Sequence, residues 1–283
     1  MNLNPIVFPT FILSVALFLA GSWLAGRAHS RLVQVGVIVL AGLLAIPGLL
    51  FVLYYLHLFD NARWFYVFRA LPGSELAASG LGFAVGGLQR LCQSRTPGER
   101  LVAPAVLAVL LIVPFMKAAL DPVDYTRLHR TCESEVCLQS TPSTCGPSSA
   151  ATLLKSFGQT ASEEELAREC FTYRGGTEIW YVARAFRRRG FIADFLIQPR
   201  ERVSPPAPAI AGVVLPGGAG HFIAILSENA DEITIGDPLK GKRVVPRKEL
   251  MNTYHFTGFF LVIRQSAGPR ASVPMRVLLR AES

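Results

Sequence analysis

The chain opens on long apolar stretches. Residues 1–26 carry no charged side chain, and the run from Ile6 to Leu24 matches the roughly 20 residues needed to cross a bilayer core. A signal peptide would begin with basic residues, which are missing here. Residues 32–59 contain no Asp, Glu, Lys or Arg and predict a second span, with Pro47 and Gly48 as a tolerated kink. Tyr54, Tyr55 and His57 suit an interface belt. A further run, from Leu101 to Met116, extends to Leu120 if Lys117 snorkels. Residues 76–89 are uncharged but short, and Gly82 and Gly86 have the small-xxx-small spacing of close helix packing. They read equally as a span or as a re-entrant helix, giving four spans or three.

Beyond Asp121 the periodicity changes twice. Residues 146–157 repeat as a helix that Gly158 can stop. Ser162 and Glu165 form a capping box opening a helix to about Cys170. Thr177 can cap a third helix, which Gly190 ends. Alternation then predicts strands over 191–197, 209–215, 221–227, 232–236, 242–245 and 256–264. Helices first and strands afterwards argue for an α+β fold. The expected organisation is a membrane domain over 1–120, a globular domain over 121–265 and a flexible tail over 266–283.

Charge supports that division. Residues 1–120 hold eight Lys/Arg and three Asp/Glu, against 20 and 17 in residues 121–283. With 51% hydrophobic residues and no glycine period, neither wholesale disorder nor a collagen-like chain is compatible. Over three spans or four, the flanking Lys and Arg divide five against five, so they do not orient the chain. The net charge of +8 is spread out and suits lipid headgroups. No aromatic-interleaved basic stripe points to nucleic acid.

The candidate chemistry lies between Cys137 and Pro238. Cys145 begins a predicted helix ahead of Gly146 and Pro147, where helix-end N–H groups favour a thiolate. Gln139, six residues earlier, can place an amide donor beside the nucleophile's own N–H as an oxyanion hole. His221 opens an apolar strand and Asp237 ends the next, so neighbouring strands can join base and orienting carboxylate. Nucleophile, base, orienter and oxyanion donor are then all present. Structural roles for the same four side chains are the plainer alternative. Gly236-x4-Gly241-Lys242 falls short of a phosphate loop, because Arg243 stands where Ser or Thr belongs. HExxH, CxxC and GxSxG motifs are absent from the sequence. Arg187, Arg188 and Arg189 suit a helix C-terminus, with substrate docking as the sharper reading. Trp180 and Phe186 fit a packed helix face.

At these residues the chain resembles the papain-like cysteine peptidases of family 39. The resemblance rests on Gln139, Cys145-Gly146, His221 before apolar strand residues, Asp237-Pro238 with Gly241 behind, and the closing run from Gly258 to Ile263. It covers roughly residues 130–265 and implies a papain-like domain of helices on an antiparallel sheet. It also implies a peptidase with Cys145 as nucleophile, His221 as base and acid, Asp237 as orienter and Gln139 as oxyanion donor. No metal or organic cofactor is required. Such domains sit on bacteriocin exporters and remove leader peptides after a double glycine. Those exporters carry six membrane helices and a nucleotide-binding domain, for which these 283 residues have no room. The expected partners are a peptide or protein substrate near the membrane, the bilayer and a separate transporter. A membrane-tethered, non-catalytic peptide-binding module is the competing reading. The expected location is multi-pass, in a bacterial inner membrane. Cys132 and Cys137 are close enough in sequence to bridge, which would favour the extracytoplasmic face; the family's exporters place this domain in the cytosol.

Overall fold

A computed structural model describes residues 3–54, 56–92 and 97–266. Tyr55, Arg95 and the expected tail beyond residue 266 lie outside the described residues, as does the side chain of Arg100. The N-terminal part is a bundle of α1 (Val7–Gly26), α2 (Arg31–Tyr54), α4 (Gly80–Leu91) and α5 (Pro97–Leu120). A short helix, α3 (Arg63–Arg69), and a 3-10 segment (Ser74–Ser79) join α2 to α4. Among the described residues, α1 and α2 are long and apolar enough to cross a membrane. A third such element exists if α5, bent by 68° between Leu101–Leu110 and Pro114–Leu120, counts as one.

The glycines of α4 let it lie against both longer helices. A Cβ on Gly82 would stand 2.1 Å from the Ser14 carbonyl oxygen, and one on Gly86 2.0 Å from that of Phe18. These paired contacts run in the same direction along α1 and α4. Gly80 faces Leu44 and Gly87 faces Val37, so α2 runs the opposite way. The 3-10 segment and α4 together rise about 30 Å, a bilayer-core thickness.

Next come α6 (Cys145–Ser156), α7 (Glu163–Glu169) and α8 (Ile179–Arg188), then a six-stranded antiparallel sheet. Its strands are β1 (Phe191–Ile197), β2 (Ala209–Val214), β3 (Gly220–Glu228), β4 (Glu232–Asp237), β5 (Gly241–Pro246) and β6 (His255–Gln265). They lie in the order β1-β6-β2-β3-β4-β5. All six match strands expected from the alternation. The near phosphate loop is the β4–β5 hairpin, with Asp237 paired to Gly241. One sheet face is covered by α6 and α8 through residues such as Leu153, Leu154, Trp180 and Phe186, all buried. The other buries Ile223, Ile225, Ile233, Ile235 and Phe260 beneath the short helix α9 (Leu250–Thr253).

Two local expectations need adjusting. Ser162 caps α7 by accepting from Glu165 N at 3.0 Å, but the Glu165 carboxylate pairs with Arg189. Thr177 does not cap α8. The helix begins two residues later, and the Thr177 hydroxyl bonds Thr172 Oγ1 at 2.7 Å and Ser143 O at 3.4 Å. The Arg187–189 run is engaged within the fold. Arg187 donates to Ala70 O and Ala193 O, and Arg188 and Arg189 pair with Glu169.

The two halves share one core. Tyr66 of α3 packs on Phe259 and Phe195, and Tyr54 and Phe65 pack on Trp180. Around them, Arg184 meets Glu75 at 2.8 Å and Lys117 meets Glu178 at 2.7 Å. Arg63 Nε donates to Phe195 O, and Asn4 Nδ2 to the Tyr181 hydroxyl.

Candidate active site

Three elements deliver the central residues. Cys145 is the first residue of α6, and Gly146 leaves room there for Thr177 and Phe222. Ser149 Oγ, one turn on, donates to Phe222 O at 3.0 Å, fixing α6 against β3 beside His221. His221 Nε2 lies 3.1 Å from Asp237 Oδ1, joining β3 to the end of β4. The Cys145 side chain is near enough to the imidazole to raise its pKa. Sequence reasoning expected these three residues to meet; the fold joins His221 to Asp237 and sets Cys145, at the start of α6, beside them. All three are buried.

The electrostatics follow from that contact. Burial alone would lower the His221 pKa. Interactions with Asp237 first and Cys145 second outweigh it, and the group is pushed up to about 9. Burial opposes the charge of Asp237, but bonds from His221, Leu239 N and Tyr254 hold its carboxyl below the usual value. The folded His221 value lies above the ordinary 6.5. Its pairing therefore stabilises the fold fully below about 6.5, and that stabilisation is lost as pH rises through about 9. Asp237 contributes in the opposite sense, its stabilisation being lost as pH falls through its lowered pKa. An NMR titration of the His221 ring should show a midpoint near 9 that drops on Cys145→Ala. An unchanged midpoint in the variant would contradict the pairing.

Gln139 is held beside this group by its backbone N–H, which donates to Pro238 O at 3.0 Å. Its side-chain Nε2 donates to Thr141 O at 2.8 Å, and its Oε1 is buried without a hydrogen-bond partner. The segment leading to it is anchored at several points. Cys132 and Cys137 form a disulfide, with Cα atoms 5.1 Å apart, and Cys145 remains free. Cys137 N donates to Thr152 Oγ1 on α6. The buried Glu163 carboxylate accepts from Ser140 N at 2.7 Å, Ser140 Oγ at 2.5 Å and His129 N at 2.9 Å.

Glu163 and Tyr254 are the residues that sequence reasoning missed. The Tyr254 hydroxyl donates to Asp237 Oδ2 at 3.1 Å, while Leu239 N and His221 hold Oδ1. Burial and the neighbouring carboxylate push the tyrosine's own pKa far up, so it remains a donor. Tyr254→Phe leaves Oδ2 buried with no donor. That should cost about 1–3 kcal/mol, read as earlier thermal unfolding in detergent. An unchanged midpoint would mean that water replaces the hydroxyl. Among the described residues no three His, Cys, Asp or Glu side chains gather as a metal site requires.

A profile of the Peptidase C39 family matches residues 133–268. A protein of Methanothermobacter marburgensis described as uncharacterized is 31% identical over 127 residues, which is 45% of this chain and 86% of that protein. A protein of Methanothermobacter thermautotrophicus, also uncharacterized, is 27% identical over 130 residues, 46% of this chain and 88% of its own. Among solved structures, the peptidase domain of Streptococcus ComA is 18% identical, with a TM-score of 0.40, covering 49% of this chain and all of that domain. A double glycine motif protease from an AMS/PCAT transporter, solved with its leader peptide, is 23% identical, with a TM-score of 0.40, covering 48% and 94%.

Proposed function

The chain belongs to the peptidase C39 family, and from that premise we propose that it is a membrane-anchored cysteine peptidase with Cys145, His221, Asp237 and Gln139 as its working residues. The observation that carries this reading is the buried hydrogen bond of His221 to Asp237, with buried Cys145 beside it at the start of α6. At neutral pH a His221 value near 9 leaves the imidazole protonated beside the sulfur. The sulfur attacks the scissile carbonyl carbon, and the oxygen takes the negative charge. The Cys145 backbone N–H and the second N–H of the Gln139 amide receive that oxyanion. His221 gives its proton to the leaving amine, which departs as the new N-terminus and leaves a thioester. The neutral imidazole then takes a proton from water, the hydroxide attacks the thioester, and the acid product leaves as the thiolate and imidazolium re-form. Asp237, steadied by Tyr254, holds the imidazole orientation through both halves.

The family resemblance implies a peptide substrate cut after a Gly-Gly type sequence. The bundle serves as the anchor, in four passes if the 3-10 segment and α4 cross together. Four passes put residue 3 and the peptidase unit on the same side. We place that side outside the cytoplasm. The Cys132–Cys137 disulfide suits an oxidising compartment.

The test is a Gly-Gly peptide ending in a vinyl sulfone, incubated with the full chain in detergent. A single adduct on Cys145, absent from Cys145→Ala, is the expected mass-spectrometric result. Tight binding of the peptide with no adduct would instead identify a non-catalytic binding module.

A further inference from the structure

The peptidase unit is docked on the bundle, so the height of its active site is fixed by packing. Tyr66, Phe195 and Phe259 fill the contact, and the buried Arg184–Glu75 pair closes it. The route from the bundle to the nucleophile is short. Asp121, the residue after α5, accepts Arg174 N at 3.0 Å through its carbonyl oxygen. The Arg174 carbonyl accepts Ser143 Oγ at 2.5 Å, and Ser143 lies two residues before Cys145. Even with every link in one straight line, Cys145 Sγ is less than about 24 Å from the Asp121 Cα. The same end of the bundle exposes Leu56, Leu58, Trp64, Leu71 and Leu120. Apolar side chains and a tryptophan exposed at one end of a bundle mark where lipid gives way to water.

We infer that the substrate is itself anchored in the membrane, and that its scissile bond lies within about seven residues of the bilayer surface on the peptidase side, at about 3.3 Å of extended chain per residue. This rests on the peptidase reading and adds the substrate's anchorage. Two partners held in one membrane meet at an effective concentration far above the bulk value, so the cleft need bind only weakly. A peptide long enough to reach a distant site would gain less, because effective concentration falls as the linker lengthens.

The full chain can be reconstituted in vesicles with synthetic probes. Each probe is an uncharged Leu/Ala helix of about 20 residues with a Ser/Gly spacer of about 2, 7, 15 or 25 residues ending in a vinyl sulfone. A soluble probe lacks the helix, and adducts on Cys145 are quantified by mass spectrometry. The expected result is that the spacer of about seven residues reacts at least about tenfold faster than the soluble probe, and no slower than the longer spacers. Labelling that begins only beyond about 15 residues, or that never exceeds the soluble rate, overturns the inference and leaves the peptidase reading intact. Iodoacetamide gives the separate control. Cys145 alkylation no faster in the wild type than in His221→Ala would remove the peptidase reading, and the inference with it.

Discussion

Replacing His221 by Ala will slow alkylation of Cys145 by iodoacetamide at least about tenfold at pH 7, and will lower kcat/KM for peptide cleavage by about a thousandfold or more. The two losses have different causes. Alkylation needs only a charged sulfur, and His221 supplies the facing positive charge. Cleavage also needs a proton for the leaving amine and, later, a base for water. Cys145→Ser should abolish cleavage while keeping the fold, because the side chains are nearly the same size. The competing thiols are separable. Burial pushes the Cys170 thiol far up, so it should stay silent, and the exposed Cys92 can be replaced by Ser as background.

The pH profile gives an independent reading. With His221 pushed up to about 9, kcat/KM should fall on the alkaline side near that value, as the imidazolium that protonates the leaving group is lost. A fall beginning near 6.5 would mean that Asp237 and Cys145 do not hold the proton in place. Asp237→Asn should move the limb downward, since it removes a hydrogen-bond acceptor and a negative charge that both raise the imidazole pKa.

The sheet was legible because its strands are short apolar or alternating runs separated by turn residues. Ile223 and Ile225 face one way along β3, while His221 keeps the same parity and reaches the site at its start. The grouping of Cys145, His221 and Asp237 was legible because each of them falls at the start or end of an element, where chain direction places it. Tyr254 was not legible, since it sits at the end of a four-residue helix with no pattern to link it to Asp237. Glu163 read as a first-turn acid of α7, and nothing local shows that it faces Ser140 and His129. The docking of the two halves was hidden for the same reason. Glu75 and Arg69 resemble loop charges between spans, and Arg184 resembles a polar helix position. Their partners lie more than a hundred residues away.

That docking predicts the other large effect. Arg184→Met or Glu75→Gln alone should destabilise the chain by about 3–5 kcal/mol, because each leaves its partner charged or polar in a buried place. Arg184 Nη1 donates to Glu75 Oε1, and Nη2 meets Glu75 Oε2, Arg69 O, Leu71 O and Ser74 Oγ. Losing the arginine therefore strands a carboxylate and the carbonyls that end α3. Losing only the acid leaves the guanidinium with its neutral acceptors, so Glu75→Gln should be the milder of the two. Replacing both by Met and Leu should recover much of the loss, as apolar packing in place of a buried ion pair commonly does. The measurement is a double-mutant cycle on thermal midpoints in detergent, with trypsin cleavage around residue 70 as the local readout. A coupling of several kcal/mol together with new cleavage in Arg184→Met is the expected result. Single variants that melt like the wild type and resist trypsin would show that the aromatic contacts and the remaining polar links, such as Lys117–Glu178, hold the bundle and the peptidase unit without this pair.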